Sequence, residues 1–351
     1  MKSKNGLLVL PGMADVHVHL RIPGGEHKED YRTGSAAALA GGITSLMAMP
    51  NTAPPIITLE DWQTARKRAN DESLCDVALF AGASITYIES LPELGRHAPA
   101  LKLYMDLTYG KLRVDGMDNL IRIARLWPRE KVLALHAEGA SVKTGLDLAA
   151  KYHRRVHFCH ISRKEEIEWI AEAKKQGLPV TCEVTPHHLF LNEADAKQLG
   201  PLGDMRPRLA SQNDVDALWA HINTTIDCVA SDHAPHTLAE KQNSENPPPG
   251  VPGLESTLPL LLTAVTEGRL SYERLIALLA VNPRRIYGLQ GQPDTWVEVD
   301  PQASYTFPDH SLYTKCGWSP FSGFTIKGRI RKVVLRGKEV VEDGIVHQFF
   351  R

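Results

Sequence analysis

At 351 residues, 43% of them hydrophobic and 23% charged, the chain has room for one large globular domain, and its composition argues against a disordered protein. Forty Lys and Arg balance 41 Asp and Glu, so no global field draws it to nucleic acid or to an anionic membrane surface, and a small molecule is the expected partner.

From the N-terminus, MKSKNGLLVLPG carries a short apolar run that Pro11 and Gly12 interrupt too early for a secretion signal. A strand is expected over 7–10. The next segment, ADVHVHLRIPGG, reads as a strand over 13–19 with two imidazoles two residues apart and an arginine two further on. Side chains alternate along a strand, so His17, His19 and Arg21 are expected on one side, with Val16, Val18 and Leu20 facing a core on the other. Further apolar, β-branched runs at 43–49, 76–81, 100–105, 132–136, 156–160, 180–184 and 226–230 read as strands. Amphipathic segments between them, such as RKEEIEWIAEAKKQG and DVDALWAHIN, read as helices, several of them closed by glycine. The alternation predicts an α/β protein, a (β/α)8 TIM-type barrel over 12–293. Two more helical stretches, GLESTLPLLLTAVTEG and SYERLIALLAVNPRRIYG, follow the eighth strand. From 294 the pattern changes to short alternating runs with turns, so 294–351 is expected to form a small β appendage with 1–11. The stretch NSENPPPGVPG would pass for a linker, but its place after the eighth strand makes it a loop over the barrel mouth.

No window approaches the roughly 18 apolar residues of a membrane span. The five cysteines are odd in number and lie mostly in strand-like runs, which fits buried free thiols in the cytoplasm better than a disulfide framework. With few residues between Met1 and the barrel, the sequence reads as a free-standing protein or an isolated domain.

In barrels of this kind the catalytic groups sit where strands end. Those positions hold His17, His19 and Arg21, then Asn51, Lys102 and His136. Later strands contribute Cys159 and His160, then Glu183 with His187 and His188, and finally Asp232, His233 and His236. Taken singly, each has a plain structural reading: a histidine bonded within the fold, or Asp232 as a cap. Lys102, flanked by apolar strand residues, is harder to dismiss, because burying its charge is costly. Together, ligand-type residues on five strands point to a metal site. Imidazole and carboxylate suit Zn²⁺, and without a CxxC pair a purely structural thiolate site is disfavoured. Four histidines and one aspartate exceed one open catalytic zinc and suit two. Lys102 would bridge them if CO2 carboxylated its amine, and burial favours the neutral amine that this reaction needs.

These residues, in the runs DVHVHLR, PGG, HKED, AMPNT, PPII, LKLY, CEV, PHHLFL, SDHAPHTL, PPPG and PGLE, resemble the dihydroorotase family of the amidohydrolase superfamily. They are most similar to the dihydroorotase domain of CAD, the multifunctional animal protein of pyrimidine synthesis. The resemblance implies one zinc on His17, His19, Lys102 and Asp232, and a second on Lys102, His136 and His160, with Lys102 carboxylated. It further implies a third zinc on Cys159 and Glu183. Arg21 and Asn51 would bind a substrate carboxylate, while Arg206, His236 and the backbone near Pro249 hold the polar edges of a ring. The stretch DLTYGKLR resembles the family's mobile flap, with Thr108 contacting substrate and Tyr109 standing where close relatives carry Phe. The implied reaction is the reversible cyclisation of N-carbamoyl-L-aspartate to L-dihydroorotate in de novo UMP synthesis. A hydroxide bridging the two ions would be the nucleophile and Asp232 the general acid and base. A homodimer and association with aspartate transcarbamoylase are implied as well. Two rivals share much of this pattern: another cyclic amidase, which would leave Arg21 without a carboxylate, and a catalytically dead relative, which would have lost metal ligands.

Overall fold

The computed structural model describes residues 2–4, 6–110, 112–243 and 245–347. Met1, Asn5 and 348–351 of the expected appendage, Lys111 of the flap stretch and Ser244 of the proline-rich loop lie outside the described residues.

Parallel strands form a three-stranded and a six-stranded sheet. The first holds β1 (Met13–Val18), β2 (Ile43–Ala48) and β3 (Asp76–Leu79). After a break at Phe80, β3 resumes as Ala81–Gly82 and pairs with β4 (Ala100–Tyr104). The series continues through β5 (Val132–His136), β6 (Val156–Phe158), β7 (Val180–Val184) and β8 (Cys228–Val229). Beyond β8, Val18 bridges His233, and the His19 N–H donates to the His233 carbonyl at 2.7 Å, so the last strand meets the first. Each strand falls within or close to its expected range, though β8 keeps only two of the five residues expected over 226–230. β6 ends two residues early because His160 turns out of the sheet at φ +36°.

The strands form where the sequence supplies near-continuous apolar runs, as parallel strands covered on both faces require. Each of the first six is followed by one principal helix. The first of these, Tyr31–Ala40, starts at Asp30, whose carboxylate accepts the Thr33 N–H at 2.7 Å while the Thr33 hydroxyl caps back. Two apolar clusters result. A large one lies among strands and helices, and a smaller one gathers Val16, Met47, Phe80, Ala134, Cys228 and Tyr287. One expectation is corrected here. Val16 does not share a core with Val18 and Leu20, which pack in the large cluster, because a register irregularity between Asp15 and Val18 rotates the strand between them.

The terminal segments form an antiparallel sheet in the order Lys2–Lys4, Leu7–Pro11, Trp296–Thr306, Thr325–Leu335, Lys338–Glu342, Ile345–Val346. Its Leu10, Val297, Val299 and Val333 join the large cluster. The connection between its two long strands does something the sequence pattern did not suggest: it reaches the rim where the parallel strands end. There Trp318 Nε1 donates to the His236 carbonyl at 2.8 Å, and Glu255 accepts the N–H groups of Tyr313 and Thr314 at 3.0 and 3.1 Å.

Glu255 is buried, and burial pushes its carboxyl up to about 8 despite those two bonds. A raised carboxyl favours folding fully below its unfolded value, near 4.3, and loses that contribution as pH rises toward 8. Glu255→Gln keeps an acceptor for both N–H groups and cannot ionise. Urea midpoints are therefore expected to favour the variant increasingly between about pH 5 and pH 8. A pH-independent difference would contradict this assignment.

Candidate active site

The strand ends converge on a narrow pocket lined by His17, His19, His136, His160 and Asp232. Arg21, His160 and Asp232 all have positive φ, at 61°, 36° and 43°. Non-glycine residues rarely hold that conformation, and they do so mainly where surrounding structure imposes it, as at functional sites. Asp232 Oδ1 lies 3.3 Å from His17 Nε2 and 3.2 Å from His19 Nε2. Across the cavity His136 Nδ1 and His160 Nε2 are 2.8 Å apart, and the His17 and His160 rings are 5.1 Å apart between centroids.

Beneath them Lys102 is fully buried, and its Nζ has no hydrogen-bond partner among the described residues; His160 Nδ1 is likewise unpartnered. Unpaired buried polar atoms are costly, and bound cations would relieve that cost at this cluster. Ligand atoms of His17, His160 and Asp232 lie within 4.8 Å of one another, as do those of His17, Cys159 and Glu183, all buried. The residues present therefore fit bound cations.

The electrostatics agree. Burial outweighs the nearby Asp232 carboxylate and holds His19 down to about 4, and burial with His136 and Lys102 holds His160 well below the ordinary range, which leaves the neutral imidazoles that bind metals. Burial alone would raise Asp232, but His17 and His19 outweigh it and keep the carboxyl well below the usual carboxylate range. His17 moves the other way. Burial and Lys102 press it down, yet Asp232 and Glu183 outweigh them and lift it to about 10. A positive charge, proton or metal, is what its surroundings favour.

The expected substrate contacts Arg21, Asn51, Thr108, Tyr109, Arg206 and Pro249 line the same cavity. His236 stands directly behind, 3.0 Å from Arg21 NH2 and 3.1 Å from the Pro249 carbonyl. Arg21 is buried, and its Nε donates to the Pro235 carbonyl at 3.1 Å. Asn51 has a further task that the sequence did not suggest: Oδ1 pairs with His19 Nδ1 at 2.8 Å and Nδ2 donates to the Tyr109 carbonyl at 3.0 Å. Tyr109, Arg21 and Asn51 also line a wider cavity and so stand between the inner and outer spaces. Gly250, at φ +137°, must be glycine, because a Cβ would lie 2.5 Å from the Ala234 carbonyl.

Other strand-end histidines hold the frame. His188 pairs with the Thr185 hydroxyl at 2.8 Å and the Pro207 carbonyl at 3.1 Å, and His233 Nε2 lies 3.2 Å from Glu29. His187 is buried against His188. Sequence reasoning missed Lys28 and Lys241. Lys241 Nζ donates to the carbonyls of Asp204, Pro248 and Gly250 at 2.9, 3.1 and 3.2 Å, tying the loop that carries Arg206 to the loop that carries Pro249.

Among the described residues no helix is long and apolar enough to cross a membrane. A family model described as dihydro-orotase-like matches residues 6–105. The chain is 48% identical over 345 residues to the multifunctional protein CAD of Squalus acanthias, covering 98% of this chain but 15% of that protein. It is 34% identical over 367 residues to a dihydroorotase of Pyrococcus abyssi, covering 98% of this chain and 86% of that one. Among solved structures, L-hydantoinase (dihydropyrimidinase) from Arthrobacter aurescens matches with a TM-score of 0.91 at 25% identity, covering 98% of this chain and 87% of that chain. Likeness that spans 86% of a dihydroorotase, with a fold shared with L-hydantoinase and a buried histidine and aspartate cluster at its strand ends, means that the chain belongs to the dihydroorotase family of enzymes.

Proposed function

We propose that the chain is a dihydroorotase that interconverts N-carbamoyl-L-aspartate and L-dihydroorotate in pyrimidine synthesis. The observation that carries this reading is Arg21: a buried guanidinium within the cavity wall, beside the His17, His19 and Asp232 cluster, in position to grip a carboxylate.

In this reading His17, His19, Lys102 and Asp232 would hold one zinc, and Lys102, His136 and His160 would hold the other. Carboxylation of Lys102 would supply an anion that both sets share and would give its Nζ, unpartnered among the described residues, a role. Cys159 and Glu183 would hold a third ion, a reading supported by their closeness to His17. Zinc in such a site polarises a carbonyl and lowers the pKa of water from about 15.7 toward 7. Asp232 accepts the proton of the attacking water on its carboxylate and returns it to the ring nitrogen as the amide C–N bond breaks. Arg21 and Asn51 grip the substrate carboxylate; Thr108, Tyr109, Arg206, His236 and the Pro249 backbone hold the ring. Run in reverse, the same groups close the ring with loss of water.

The two parallel sheets are read as one closed (β/α)8 barrel over 12–293, with 1–11 and 294–351 as the appendage. The five buried free cysteines support a cytoplasmic setting. Family likeness supports a homodimer and an association with aspartate transcarbamoylase.

A second reading, a cyclic amidase acting on rings without a carboxylate, is favoured by the structural likeness to L-hydantoinase. Arg21 separates the two. Dihydroorotate is expected to exceed dihydrouracil in kcat/KM by at least about a hundredfold, near 3 kcal/mol. Arg21→Met should remove most of that margin. Comparable turnover of both rings by the unaltered protein would favour the second reading.

A further inference from the structure

The loop after β1 places a lysine at the site that has no part in the reading above. Gly24, at φ +88° with the Ala53 carbonyl 2.1 Å from where a Cβ would sit, presses this loop against the one that follows β2. Lys28 then turns inward, buried, with its N–H 2.8 Å from the Gly25 carbonyl. Its Nζ has a partner for each of three protons: Tyr109 Oη at 3.1 Å, Glu240 Oε1 at 3.0 Å and His236 Nδ1 at 3.1 Å.

We propose that Lys28 is a positioning residue, whose ammonium fixes His236 as the neutral tautomer with its proton on Nε2. An ammonium carries donors and no acceptor, so His236 Nδ1 must offer its lone pair. The proton then resides on Nε2, which faces the Pro249 carbonyl at 3.1 Å and donates to it. Both bonds require the same tautomer. The alternative gains only a contact with Arg21 NH2, 3.0 Å from Nε2, and loses both others. Glu240 Oε2, at 3.9 Å from Nδ1, is too far to compete.

One consequence concerns the ligand. A guanidinium also has donors only, so Arg21 NH2 and His236 Nε2–H face each other as two donors rather than as a bonded pair. With the Nε2 proton committed to the Pro249 carbonyl, His236 offers Arg21 no acceptor, and that guanidinium N–H is left for an anionic oxygen. Arg21 is thus kept for a ligand carboxylate, a consequence that rests on the dihydroorotase reading; the tautomer itself does not. The groups around the ring favour the uncharged form. Arg21 and Lys28 come from the loop after β1, Tyr109 edges the ring from the loop after β4, and Glu240 and Lys241 come from Leu238–Gln242. Burial first, then Arg21, Lys28 and Lys241, hold His236 far below an ordinary imidazole.

The test is ¹H–¹⁵N correlation spectroscopy of zinc-loaded, ¹⁵N-histidine-labelled protein, with the His236 signals identified by their loss in His236→Gln. Wild-type protein should show the Nε2–H neutral pattern from about pH 6 to 8. Lys28→Met should give mixed tautomers, a protonation step entering that range, and a KM for dihydroorotate raised about tenfold with kcat within about threefold. Lys28→Arg should restore the Nε2–H pattern. Tyr109→Phe, which removes only the hydroxyl bond, should leave it unchanged. An Nδ1–H pattern in wild-type protein, or a His236 pattern unaffected by Lys28→Met, would overturn the proposal. The expected tautomers in a protein that does not turn over dihydroorotate would sustain Lys28's role and sink the functional reading instead.

Discussion

Lys102→Met should lower turnover by about a thousandfold or more, roughly 4 kcal/mol in the barrier, and strip most of the zinc from the protein without unfolding it. Lys102 sits in the middle of β4, fully buried, its Nζ 5.2 Å above the Tyr104 ring and without a hydrogen-bond partner among the described residues. As a structural residue it makes little sense, because an unpaired ammonium in a strand core destabilises the fold. As a carbamate it would carry an anion with two oxygens, one for each ion. Met fills nearly the same volume and supplies no anion. After chelation of metal, the variant should be at least as resistant to urea as the unaltered protein, since the substitution removes an unsatisfied buried group. Elemental analysis with steady-state kinetics decides the matter: a Met variant that keeps its zinc and its rate would remove Lys102 from the mechanism.

Asp232→Asn is the second large effect. The side chain is isosteric, and Asn tolerates the positive φ of 43° better than most residues, so the geometry around His17 and His19 should persist. What is lost is a carboxylate able to take a proton from water and return it to nitrogen. That role contributes typically 10²–10⁴-fold, and a fall in kcat of about that size is expected with KM for dihydroorotate little changed. A kcat within tenfold of the unaltered protein would assign the proton transfer elsewhere. Zinc measured on the same sample separates lost metal from lost base.

Much of this site was legible before any coordinates, and the reason is physical. The strands are buried on both faces, so they appear in the sequence as uninterrupted apolar runs, and a polar residue at the end of such a run stands out. His17, His19, Lys102, His136, His160 and Asp232 were visible for that reason. Arg21 was visible because it continues the alternation of His17 and His19. Lys28 had no such signal. It lies in the polar, turn-rich GGEHKED stretch, where a lysine is ordinarily solvated, and only tertiary contact with Tyr109, His236 and Glu240 distinguishes it. Lys241 is hidden for the same reason, in a short helix that would pass for a polar surface. The irregularity in β1 that separates Val16 from Val18 depends on pairing with β2 and leaves no local trace. The reach of Trp318 and Tyr313 to the rim is equally non-local, a product of how the antiparallel sheet docks rather than of any pattern in 307–324. Asn51 shows a middle case. Its place after β2 marked it as a site residue, but its hold on His19 and the Tyr109 backbone required the structure.

The most direct test of the whole account is to follow zinc-loaded protein from both ends, starting separately with N-carbamoyl-L-aspartate and with L-dihydroorotate. The account predicts that each compound forms from the other and that both reactions settle at one common ratio. Zinc-replete, folded protein that forms neither, whether or not it opens a ring lacking the carboxylate, would contradict it.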